Sequence, residues 1–341
     1  WRAAGGPLWV SGIFSLALVG APYTQAQIGH LNQLPPPFVL TALAGVILAL
    51  RRQDEGRPSA WAWWLVGLSL VLQATWGWYG FAHAVIGVVV LKLYWLVGGL
   101  GRGGSFKALV FPVVKRAILP AILAVGAVLV LAQPQWRLAD RYPEFTRQPE
   151  EVRSGSADYH HFLNRGVYRS EPADWIGRGV EGKERSAGRD RQVLNPGWLA
   201  LGLAVAGWLL RGRIPANRRR LGTGLLVMGG VGLVLAFGES VGLPGTDKRM
   251  PLPLEWLRTA VPPFKAFRGA WRFSWLFVIA VAWWAAVGTE VLARREGLTG
   301  RLVPAVIILL VLVSLPAAVP TLEVPIDGHL RWPAFPQELS L

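Results

Sequence analysis

The chain has 341 residues, 52% of them hydrophobic and only 16% charged, and the charges fall between apolar runs long enough to cross a bilayer core. That pattern excludes an ordinary soluble globular fold, and the lack of cysteine excludes disulfides and thiolate metal sites. The net charge of +15 sits in short segments between the apolar runs, so it points to topology signals and anionic headgroups and away from nucleic acid.

Nine apolar spans are predicted: Leu8–Gly20, Phe38–Leu50, Trp61–Trp76, Phe81–Leu100, Ala117–Leu131, Gly197–Leu210, Leu221–Phe237, Ser274–Leu292 and Leu302–Val319. The fold class they predict is all-α, a polytopic transmembrane helix bundle with two extracytoplasmic loop elements. Residues 1–132 would hold the first five helices, 195–237 the next two and 274–319 the last two. Residues 133–194 and 238–273 would form the loop elements, and 320–341 the start of an extracytoplasmic C-terminal region. The chain enters its first span almost at Trp1 and is expected to be a segment of a longer protein.

The connecting segments alternate in charge. One set carries Arg51, Arg52 and Arg57, then Arg102, Lys107, Lys115 and Arg116, then Arg211, Arg213, Arg218, Arg219 and Arg220, then Arg294, Arg295 and Arg301. With Arg2 these make 16 of the 35 Lys and Arg, whereas segments 21–37 and 77–80 have none. Short cytoplasmic loops collect positive charge. The basic set is therefore expected in the cytoplasm of a bacterium, with the N-terminus inside and, after nine crossings, the C-terminus outside. The densest run, RGRIPANRRR, reads as a topology anchor. Lys92 lies within a span and is expected to snorkel towards the cytoplasm.

Two outer segments break the pattern. Residues 133–194 carry eleven Lys/Arg and ten Asp/Glu, too polar to cross lipid and long enough for a lid or substrate loop. Residues 239–273 carry six Lys/Arg against three acids, on the side where short loops are normally poor in cations. Pro251, Pro253, Pro262 and Pro263 interrupt any single helix there. Short interfacial pieces are expected instead, with Trp256, Phe264, Phe267 and Trp271 at headgroup level. Arg268 and Arg272 stand four residues apart at the mouth of the next span, and on a helix they would share a face. Paired guanidiniums bind phosphate bidentately, so a lipid phosphate is the ligand this spacing suggests.

The Walker loop, HExxH and GxSxG are absent, and no dinucleotide-binding glycine fingerprint follows a strand. His30, at a span entrance, could hydrogen-bond a sugar or phosphate, or be satisfied at the interface. His83, beside the turn at Trp78–Gly80, is a weaker candidate. In the first outer segment Arg147, Glu150, Glu151 and Asp158 alternate with aromatic residues, a mixture that suits carbohydrate but also any soluble surface.

Four stretches, in this order, carry a likeness: APYTQAQIGHLNQLPPPFVLTAL, TRQPEEVRSGSADYHHFL, VLNPGWLALGLAVAGWLL and VPPFKAFRGAWRFSWLFVIAVAWWAAVG. Their sequence of features resembles that of the polytopic bacterial glycosyltransferases of the C-type superfamily (GT-C), including the YfhO-like membrane proteins. The resemblance nominates His30, Arg147, Glu151, Asp158, Arg268 and Arg272 as substrate-binding residues. It implies transfer of a sugar from a polyprenyl-phosphate donor to an extracytoplasmic glycan, lipid or protein acceptor. It also implies a catalytic acid, and a divalent cation held by acidic residues, in a first outer loop expected to lie N-terminal to this segment. The rival readings are a transporter or lipid flippase without glycosyl-transfer chemistry, and a membrane scaffold.

Overall fold

The computed structural model describes residues 8–19, 37–141, 156–157, 162, 194–242, 249–260, 264, 267 and 269–294. Helices fall on eight of the nine expected spans: α1 (Leu8–Val19), α2 (Pro37–Asp54), α3 (Ala60–Trp76), α4 (Trp78–Leu100), α5 (Phe106–Arg141), α6 (Trp198–Leu209) and α7 (Ala216–Ala236). After a short α8 (Pro253–Ala260) comes α9 (Trp275–Ala293). The expected span Leu302–Val319 lies outside the described residues. Among the described residues, four stretches are long and apolar enough to cross a membrane: Trp78–Leu100, Phe106–Pro134, Ala216–Ala236 and Ala270–Ala293. These mostly helical, apolar elements mark a membrane protein.

One helix overruns its expected bounds. α5 starts before Ala117 and continues to Arg141, with Pro112, Pro120 and Pro134 inside it. The sequence loses apolarity after Leu131, but Ala, Gln, Leu and Arg keep good helix propensity. Residues 133–141 therefore continue the helix where a loop was expected.

The bundle is organised around α9, which packs against α1, α6 and α7. A second group, α2 to α5, packs mainly through neighbours in sequence, and α4 joins it to α7. Glycine makes the central contacts possible. A Cβ at Gly207 of α6 would lie 2.2 Å from the Trp284 carbonyl oxygen, and one at Gly288 of α9 would lie 2.1 Å from that of Leu203. The two backbones touch there, as small residues permit in membrane helices. On α7, Gly222, Gly229 and Gly232 recur at helical spacing and meet Trp284, Ala280 and the Phe273 carbonyl of the α9 region. The indole Nε1 of Trp284 then donates to the Gly222 carbonyl at 3.0 Å.

The basic connecting segments gather at one end of the bundle. Arg218, on the first turn of α7, pairs with Glu290 of α9 at 2.7 Å, the side chains 9% and 1% exposed; Arg294 closes on the same carboxylate. Arg220 pairs with Asp54 at 3.5 Å, and Arg116 donates to Ser59 Oγ at 3.4 Å. RGRIPANRRR is thus more than an anchor: two of its arginines tie α7 to α9 and to α2.

Candidate functional site

The opposite end of the bundle brings the nominated loops together. α3 and α4 are joined through Gly77 alone, whose N–H donates to the Gln73 carbonyl at 2.8 Å. This tight junction puts Tyr79 and His83, one turn apart on α4, on the same face. The Tyr79 hydroxyl accepts the Gly269 N–H at 3.0 Å, and its ring meets Phe267 edge-on at 4.6 Å. The Arg272 guanidinium lies over the same ring at 4.0 Å and near the Trp271 indole at 5.4 Å. One tyrosine therefore holds the loop backbone and orients the cation that follows it. Such a stack contributes about 1–2 kcal/mol when partly desolvated, enough to favour one guanidinium orientation.

Arg272 sits in a 3₁₀ turn and not in an α-helix. Gly269 has φ −103° and ψ 81°, and a 3₁₀ turn, Ala270–Ser274, begins after it. The stretch from Gly269 to Ser274 is therefore not α-helical, and Arg268 lies outside the described residues. The backbone turns at Gly269 to reach Tyr79, and the helix proper starts only at Trp275.

Beneath Arg272, His83 is 4% exposed. Its ring packs edge-on against Phe273 at 5.2 Å and lies 6.2 Å from Trp275. The Arg272 backbone approaches it, yet neither Nδ1 nor Nε2 has a well-formed hydrogen bond among the described residues. Ser274 Oγ, Trp275 Nε1 and Gln73 Oε1 are buried in the same condition. Each such atom costs about 1–3 kcal/mol relative to a satisfied one. Their concentration around the run-in to α9 (His83, Ser274 and Trp275) is unusual for a settled core.

The other wall is the end of α7. Gly238 has φ +87°, the left-handed conformation that glycine adopts readily after a helix. A Cβ there would meet Ser156 Oγ at 2.0 Å. The neighbouring Ala157 N–H donates to the Ala236 carbonyl at 2.7 Å, and Phe162 contacts the rings of Phe237 and Phe277. Ser156 and Ala157, from the segment after α5, therefore dock at the segment that follows α7. Beyond Gly238, strands β1 (Ser240–Gly242) and β2 (Arg249–Pro251) form an antiparallel hairpin that pairs Val241 with Met250. Glu239 forms an ion pair with Arg258 of α8, and burial lowers the affinity of that guanidinium for its proton. The expected interfacial pieces thus include one helix, α8, with Leu254 buried and Trp256 exposed.

Of the nominated residues, Arg272 is placed as described. His30, Arg147, Glu151, Asp158 and Arg268 lie outside the described residues, although Asp158 directly follows the docked Ala157. Sequence reading missed Tyr79, for which the i, i+4 spacing to His83 at a span mouth was the available signal. No group of three His, Asp or Glu side chains able to hold a metal ion occurs among the described residues, so no chemical step is derived through the expected cation. No family model, no curated protein and no solved structure matches the chain.

Proposed function

We propose that the protein is an integral membrane glycosyltransferase of the bacterial cytoplasmic membrane, with nine spans, its N-terminal end inside and its C-terminal end outside. It would move a sugar from a polyprenyl-phosphate donor to an extracytoplasmic glycan, lipid or protein acceptor. The observation that carries this reading is Arg272. Its guanidinium is stacked on Tyr79 at the mouth of an apolar bundle, where a phosphate on a lipid chain would arrive from the bilayer.

The reaction is a displacement at the anomeric carbon. The acceptor hydroxyl oxygen forms the new bond, the bond to phosphate oxygen breaks, and the hydroxyl proton passes to a carboxylate base. Polyprenyl phosphate leaves with the bonding electrons. Arg272, with Arg268 nearby in sequence, would neutralise that leaving group, while Asp158 and Glu151 would face sugar and acceptor from the docked first segment. His30 and Arg147 remain nominated by resemblance alone.

The test is release of polyprenyl phosphate from a panel of lipid-linked sugars by the complete gene product purified in detergent. Release should fall by at least about tenfold in Arg272→Lys, corresponding to ~1.4 kcal/mol of transition-state stabilisation. Normal turnover by Arg272→Ala would sink the clamp.

A second reading, a lipid flippase or transporter, has one observation in its favour: the buried Arg218–Glu290 pair within the bundle. Movement of a labelled lipid-linked sugar across vesicles without release of phosphate would select it.

A further inference from the structure

The outward face of α3 carries a pattern that neither the sugar-transfer reading nor the packing of the bundle uses. Trp61, Trp64, Leu68, Leu72 and Trp76 are each between 36% and 58% exposed. At about 3.6 residues per turn these five positions lie within an arc of about 120°. Ala62, Val66 and Gln73, on the other side of the helix, are buried. One face therefore runs from tryptophan through leucine to tryptophan, with no charged side chain between them.

The neighbours of α3 indicate what covers that face. α3 packs against α2, and against α4 and α5, which each contain a stretch long and apolar enough to cross a membrane. At the inner end the Arg52 guanidinium lies 5.2 Å from the Trp61 ring, and Arg116 donates to the Ser59 hydroxyl at 3.4 Å. Cations thus gather where the tryptophans begin. At the outer end Trp76 adjoins the single-residue junction, Gly77. Tryptophan is enriched where hydrocarbon gives way to headgroups. A contact with another membrane helix would favour small residues, yet Ala62, Gly67 and Ala74 lie on the buried side. Leucines bounded by tryptophan at both ends fit lipid.

The spacing is short for that role. Trp61 and Trp76 stand fifteen residues apart, about 22 Å along the axis. The hydrocarbon core of an ordinary bilayer is about 30 Å thick. Both Cβ atoms lean towards the helix N-terminus, so the separation stands, and tilt would only reduce it. α2 repeats the measure. Its first residue, Pro37, and the cation Arg51 in its last turn are fourteen residues apart, about 21 Å.

We propose that α3, with α2 beside it, holds a locally thinned bilayer whose hydrocarbon is compressed to about 22 Å between the two rows of tryptophan. The partner is the lipid bilayer itself. This rests on α3 crossing it, as in the nine-span reading, and not on any chemistry at Arg272.

Spin-label accessibility tests it on the full chain in dioleoylphosphatidylcholine vesicles. The chain has no cysteine, so Ala60→Cys, Leu68→Cys, Leu72→Cys and Thr75→Cys each carry one label at an exposed position and leave all three tryptophans in place. Collisions with oxygen should dominate at 68 and 72, and collisions with a water-soluble nickel chelate at 60 and 75. An oxygen-dominated label at 60 or 75 overturns the thin bilayer, because the core would then reach past that tryptophan. Dipolar broadening between copies at 68 and 72 overturns it too, since a second chain would cover the face. Nickel access at all four positions would show that α3 does not cross, and the nine-span reading would fall with the proposal. Lipid length gives an independent check. Tm should fall from dimyristoleoyl through dioleoyl to dierucoyl phosphatidylcholine, and Trp76→Leu, which extends the leucine face, should move the optimum towards longer chains. Equal Tm in the three lipids, or an unmoved optimum in Trp76→Leu, overturns the proposal.

Discussion

α9 and α5 differ in burial in the direction opposite to their apolarity. The most apolar window of α5 is 17% buried, whereas that around α9 is 83% buried although it is slightly less apolar. Around α5, Phe111, Ile122 and Val130 face outwards. Around α9, tryptophans and small residues fill the interior, and a carboxylate is sealed inside. In water the more apolar helix would take the centre. In a bilayer, lipid chains serve a leucine face as well as protein does, so the centre goes to the helix that packs closely and satisfies polar groups. α5 touches the rest chiefly through α3, where Gly67 lies against the buried Pro120.

Gly288→Leu should break this contrast most severely, because its side chain would enter the α6 backbone. A loss above about 4 kcal/mol, read as failure to recover monodisperse protein in detergent, is expected. The matched change on the outer helix is Gly126→Leu, whose Cβ meets nothing within 4 Å; its Tm should match wild type. If both failed alike, the distinction between hub and periphery would be wrong.

Next in size is the sealed carboxylate. Glu290→Ala removes the buried carboxylate that Arg218 and Arg294 share, a loss of about 3–5 kcal/mol. The double change Glu290→Leu with Arg218→Met should recover most of the Tm, since it removes both charges. A smaller effect of opposite sign is expected at His83. His83→Leu removes two buried nitrogens that lack a well-formed hydrogen bond among the described residues and should raise stability by about 1–3 kcal/mol, while lowering polyprenyl phosphate release if the imidazole serves the site. A variant that lost stability would show that the ring was satisfied after all. The smallest effect belongs to Glu55, at the surface, whose proton affinity is lowered first by its hydrogen bond from Arg51. Glu55→Gln should leave the Tm within error.

The placement of helices was legible because apolar runs and Lys/Arg alternation are averages over many residues, and averages survive local error. Glu290 was hidden by the same averaging, as one carboxylate at the end of an otherwise apolar run. Its partner Arg218 looked like one more topology arginine, since only the fold brings positions 72 apart together. The hairpin was too short for alternation to register. At the candidate site Arg272 could be nominated from composition on the unexpected side. The device that orients it could not, because Tyr79 lies 190 residues from Gly269, whose N–H it accepts.

The central helix follows α1 to α8 in the chain, and that order bears on assembly. α2 to α5 find their partners within the stretch just synthesised. α1 docks mainly on α9, so among the described residues the main surface for Val10 and Leu18 is not made until translation passes Trp275. At 5–20 residues per second that wait is on the order of 15–55 s. During it, α1, α6 and the glycine face of α7 are held only by lipid or by insertion machinery. A nascent chain stalled before Trp275 should therefore present these helices as separable passengers, and one stalled after Ala293 should not.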